Sequence, residues 1–169
     1  EGLQRGASLS GFGFLAAAAV QAVVLLPAGR MADTQGRRKA LLYGTITTAI
    51  GMVVLTLADA AVHGLGQAAM LGTILFLVSM AIQGFGAAFL GSAPSAVIGD
   101  VMGGKKGGIV VATFQMMSDV GAVIGPLAAG LLVDLFDFSW AFAFGALLAI
   151  LPIFLVIRMP ETLKRSDVT

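Results

Sequence analysis

The sequence predicts an all-α polytopic membrane protein, and three observations predict it. Hydrophobic residues make up 58% of the 169 and charged residues 11%, against roughly half and a quarter in a soluble domain, and the mean hydropathy is +0.98. Five predominantly apolar runs reach the ~20 residues that a helix rising 1.5 Å per residue needs to cross about 30 Å of hydrocarbon. The runs are apolar all round and lack the in/out alternation of barrel strands.

The first run, 10–28, extends from Ser10 to Ala28 and carries one strongly polar side chain, Gln21. The second, 40–58, has only threonines, whose hydroxyls can bond back to their own helix. The third, 68–98, holds Ser79, Gln83, Ser92 and Ser95, with Gln83 one turn beyond Ser79 on the same face. The fourth, 109–133, holds Thr113, Gln115, Ser118 and Asp119, and the fifth, 139–157, has no polar group after Ser139. Small residues recur every four positions at Gly84, Ala88 and Ser92 and again at Gly121, Gly125 and Ala129, a spacing that lets helix backbones approach closely. Pro94 and Pro126 each remove a backbone donor and are expected to bend their helices.

Charge sets the expected direction of the helices. Arg30, Arg37, Arg38 and Lys39 follow the first run, Lys105 and Lys106 the third, and Arg158, Lys164 and Arg165 the fifth, so nine of the ten cations share one side. Only Arg5 falls on the other. The positive-inside rule makes the shared side cytoplasmic, with the N-terminus outside and the C-terminus inside a multi-pass cell-membrane protein.

Between the first two runs, "GRMADTQGRR" places Gly29, Asp33, Gly36, Arg37 and Arg38 in the spacing G-x-x-x-D-x-x-G-R-R. Gly29 suits a close helix contact or a tight turn, Gly36 a positive φ, and Asp33 can accept from the arginines or face a helix N-terminus. The stretch resembles the cytoplasmic loop signature of the major facilitator superfamily of secondary transporters. "GAVIGPLAAG" is similar to that family's glycine-proline helix motif, with Gly121, Gly125, Pro126 and Gly130 in place and Ala129 where a glycine would stand. "PETL", Pro160 to Leu163, resembles the ending that follows the last helix of a half. "MAIQGFGAA" resembles R-x-x-Q-G, but Met80 replaces the arginine, which favours the C-terminal half.

The resemblance covers essentially all of 1–169. It implies a partial C-terminal domain, helices eight to twelve, forming most of one six-helix half-bundle. Helices two to six of the other half are the alternative, which the glycine-proline motif would suit; the ending twelve residues after Ile157 is expected to favour the C-terminal half, and the lack of an initial Met fits a fragment. It also implies that the Gly29–Arg38 motif latches one half to the other, and that the first, third and fourth runs face the solute pathway while the second and fifth face lipid. Asp119, Gln115, Gln83, Ser79 and Gln21 are the candidate coupling or pathway residues. Asp119 stands out, because a carboxylate at mid-membrane is costly and is by default functional.

The implied function is alternating-access transport of a small organic solute, as proton-coupled efflux. Uptake by a permease of the same family is the alternative, and a non-transporting scaffold or membrane enzyme the rival from another class. An enzyme should show clustered His, Cys or paired carboxylates at membrane depth. Expected partners are the solute, protons, the lipid bilayer and the missing remainder of the transporter. No cofactor, metal or catalytic residue is expected: there is no cysteine and one histidine, His63. A net charge of +1 gives no reason to expect a nucleic-acid partner. "GDVMGGKKGG" begins like a phosphate-binding loop, yet Lys106 occupies the Ser/Thr position and a membrane run precedes it, so a flexible cationic turn is expected.

Overall fold

In the computed structural model, residues 2–65, 69–102 and 107–163 are described, with side chains from 8–60, 70–102 and 107–163. Five helices follow in chain order: α1 (Gly2–Gln35), α2 (Arg37–Leu65), α3 (Ala69–Met102), α4 (Gly108–Leu135) and α5 (Phe138–Arg158). All five are long and apolar enough to cross a membrane, and the described residues contain no strand. Each predicted run lies within one helix and each helix continues past its run, residue 68 lying outside the described residues.

The largest difference from expectation is at the charged stretch. The stretch that resembles a loop signature is mostly helical: α1 continues through Gly29 to Gln35, and only Gly36 separates it from α2. Nothing from Arg30 to Gln35 breaks a helix, so backbone hydrogen bonding carries on until the first residue with a positive φ. α3 and α4 likewise run through Pro94 and Pro126. Lys105 and Lys106, and the side chain of His63, lie outside the described residues.

α3 packs against both α1 and α2, and α5 covers another side of α2. The buried cluster joins Ala28 and Ala32 of α1, Ala40 and Leu41 of α2, Ala88, Phe89 and Ala93 of α3, and Val156 of α5. Small side chains dominate because the backbones approach closely. A Cβ on Gly84 would meet the backbone of Ala17, and one on Gly86 would stand 3.0 Å from the Gly44 carbonyl oxygen. Thr45 and Thr56 donate to the carbonyls of Leu41 (2.9 Å) and Met52 (3.0 Å), the expected back-bonding of the second run.

α4 stands apart. It touches α5 and α3 only slightly and buries none of its residues among the described elements. A Cβ at Gly121, Gly125 or Gly130 would meet nothing within 4 Å, whereas the small stripe on α3 is occupied. In the full-length transporter Gly84→Val is therefore expected to destabilise the α1–α3 contact by about 1–3 kcal/mol through overpacking. A fall in the thermal unfolding midpoint in detergent checks it; an unchanged midpoint would show that the crossing is not tight.

Candidate functional site

Gly36 is the one residue with a positive φ, 114°, among those described. A side chain here would be strained and would also collide with the Glu161 carboxylate. The turn delivers Arg37 as the first residue of α2, where its side chain is almost completely buried. Arg37 Nη1 pairs with Asp33 Oδ1 one turn back on α1, and its Nε donates to Asp100 Oδ2 of α3 at 3.0 Å. One guanidinium thus holds the ends of α1, α2 and α3 together. Asp33 is 67% exposed, so its pair contributes little stability; Asp100, at 26%, is better shielded from solvent.

The segment after α5 closes the junction. Glu161 accepts from the backbone N–H of Arg37 (2.8 Å) and Arg38 (3.2 Å) and from those of Thr162 and Leu163 (3.1 Å each). It caps α2 from 124 residues away, where unpaired amides and the positive end of the helix dipole favour a carboxylate. Partial burial pushes the Glu161 carboxyl up, but the four backbone donors together outweigh it and hold it below the usual range. Thr162 Oγ1 donates to Asp100 Oδ2 at 3.4 Å, and Arg38 Nη2 donates to the Ile157 carbonyl at the end of α5.

Four motif residues therefore meet in one network or its turn: Asp33, Gly36, Arg37 and Arg38. Gly29 does not join them. It lies inside α1 with open space where a Cβ would be, so within this chain it makes neither a turn nor a close contact. Sequence reading missed the role of Asp100, which lay in the stretch judged as a false phosphate loop, and the capping role of Glu161. Counting acids as well as cations would have flagged Asp100, an acid at the cation-rich end of the third run.

The candidate pathway residues divide between two places. Ser79 is fully buried and donates to the Phe76 carbonyl at 2.7 Å. Gln83 reaches toward α2, where its Cδ would stand 3.1 Å from a Cβ on Gly51; its buried Nε2 has no partner among the described residues. Both sit at helix seams. Gln21 is half-buried on α1. On α4, Gln115 Nε2 donates to Asp119 Oδ1 at 3.3 Å, and both side chains are exposed. Nearer the opposite end, a largely apolar cavity of about 1090 Å³ lies between α4 and α5, with Gly125, Pro126 and Gly130 in its wall. Ser139 Oγ donates to Asp59 Oδ2, joining α5 to α2.

The Major Facilitator Superfamily matches residues 2–168. Among curated proteins, "Uncharacterized MFS-type transporter Rv1250" of Mycobacterium tuberculosis is 28% identical over 150 residues, covering 86% of this chain and 24% of that protein. "Multidrug resistance protein MdtM" of Escherichia coli is 29% identical over 143 residues, covering 83% of this chain and 32% of that protein. "Multidrug resistance protein 3" of Bacillus subtilis is 28% identical over 130 residues, covering 77% and 23%. The chain thus spans no more than about a third of the length of these relatives. No solved structure matches it at comparable stringency.

Proposed function

Because the chain belongs to the Major Facilitator Superfamily, a family of membrane transporters, we propose that it forms most of the C-terminal half of a secondary transporter that expels a small organic solute in exchange for protons. Met80, in place of the arginine of the other half's motif, supports the placement. The observation that carries the mechanism is the Asp33–Arg37–Asp100 junction capped by Glu161. Alternating access rocks one bundle of helices against another, so a bundle must move as a unit. A shared guanidinium at a one-residue turn binds three helix ends into such a unit, and Asp33, still largely exposed, is left to meet the other half. Two relatives named for multidrug resistance support efflux, and Asp119, which accepts from Gln115 of its own helix and joins no ion pair among the described residues, supports proton coupling.

Cells producing the full-length transporter should accumulate less of a lipophilic fluorescent probe than cells producing a transport-dead variant. Equal accumulation across a panel of such probes would count against efflux. The nine-to-one cation split supports a cytoplasmic position for the Gly36 turn. Single cysteines at Gln35 and Lys164 should therefore label only from the cytoplasmic side and one at Gly64 only from outside, in a background otherwise stripped of cysteine. The reverse pattern would overturn the orientation.

A further inference from the structure

We propose that the cavity beside Arg38 and Lys39 binds the phosphate of an anionic glycerophospholipid. The cavity, about 550 Å³, lies where the end of α1, the start of α2 and the segment after α5 meet. Its wall changes character along α2: Arg38 and Lys39 come first, and Leu42 follows one turn into the apolar run, with Leu163 beside them. Polar and apolar walls adjoin in this way where a headgroup meets its acyl chains.

The charges leave room for an anion. Glu161 also lines the cavity, but its oxygens already accept four backbone N–H groups. Arg37 is engaged by Asp33 and Asp100, neither of which lines the cavity. Arg38 and Lys39 are the cations in the wall. Arg38 gives one Nη2 bond to Ile157, while its buried Nε has no acceptor among the described residues. Lys39 is exposed and joins no ion pair among them. Phosphodiester oxygens would supply the missing acceptors, and a bilayer holds such groups at the interface where this end of the bundle lies. A soluble phosphate would have no use for the apolar part of the wall. The site stands whichever solute the transporter carries.

The test uses the full-length transporter in mixed micelles, with its unfolding midpoint followed as phosphatidylglycerol is added and phosphatidylcholine as the neutral control. The midpoint should rise to a plateau with phosphatidylglycerol alone. Lys39→Gln should need about fivefold more lipid for the half-maximal rise, the equivalent of roughly 1 kcal/mol per basic residue near a membrane surface. Lys39→Arg should titrate like wild type. Lys39 is exposed and joins no ion pair among the described residues, so neither variant is expected to impair folding. Coincident titrations of wild type and Lys39→Gln, or an equal rise with phosphatidylcholine, would overturn the site. An equal rise with inorganic phosphate at the same concentration would overturn the lipid assignment in favour of a soluble anion.

Discussion

Arg37→Ala in the full-length transporter is expected to lower solute flux at least tenfold while membrane insertion stays near wild type. Insertion should be spared because Arg30, Arg38 and Lys39 still supply a cationic flank between the apolar parts of α1 and α2. The loss falls on the junction. Without the guanidinium, Asp33 and Asp100 face each other with no cation between them, and α1 and α3 are no longer tied through α2. Tenfold corresponds to about 1.4 kcal/mol, a modest demand on a fork that binds two carboxylates. Arg37→Lys should restore little, because an ammonium lacks the planar fork that reaches both acids. Asp33→Ala should also impair flux, through the exposed partner rather than the buried one. Normal flux by well-inserted Arg37→Ala would reduce the junction to a topological flank.

Much of this arrangement was legible in the sequence, and the reasons are local. Five apolar runs dictate five helices because backbone polar groups in hydrocarbon must be satisfied within the segment. Gly36 was legible because its place between two spans called for a positive φ, and the chain has one there. The extent of α1 was not legible, since hydropathy marks where a helix leaves the apolar layer and not where its hydrogen bonds end. Asp100 and Glu161 were missed as partners because they lie 63 and 124 residues from Arg37, and no periodicity links residues so far apart. Gln83 carried a different ambiguity. Spacing put it on one face with Ser79 but could not say which helix that face meets, and it meets α2 at Gly51. The Gly121–Gly125 stripe resembled a packing surface, and here the described elements leave it open.

The second large effect is expected at Asp119. It lies eleven residues into α4 from Gly108, about 16 Å along the helix and near mid-membrane if the cation-rich end marks the interface. It is the one acid inside the predicted run of its span. Its partner is neutral: Gln115 Nε2, at 3.3 Å on the same helix, donates to it without compensating its charge. A carboxylate at that depth with no cation paired to it among the described residues is costly, and binding a proton or a cationic solute removes the cost, so its occupancy should follow the alternation of the halves. Asp119→Asn keeps the size and the hydrogen bond from Gln115 but cannot ionise. The most direct measurement is solute flux in proteoliposomes holding the full-length transporter, wild type or Asp119→Asn, at several imposed pH gradients. The wild type should move solute faster as the opposing proton gradient steepens, and Asp119→Asn should lose that dependence and at least nine-tenths of gradient-driven flux. Full flux with an unchanged pH response in the variant, or no response to the gradient in the wild type, would contradict proton-coupled transport through this half.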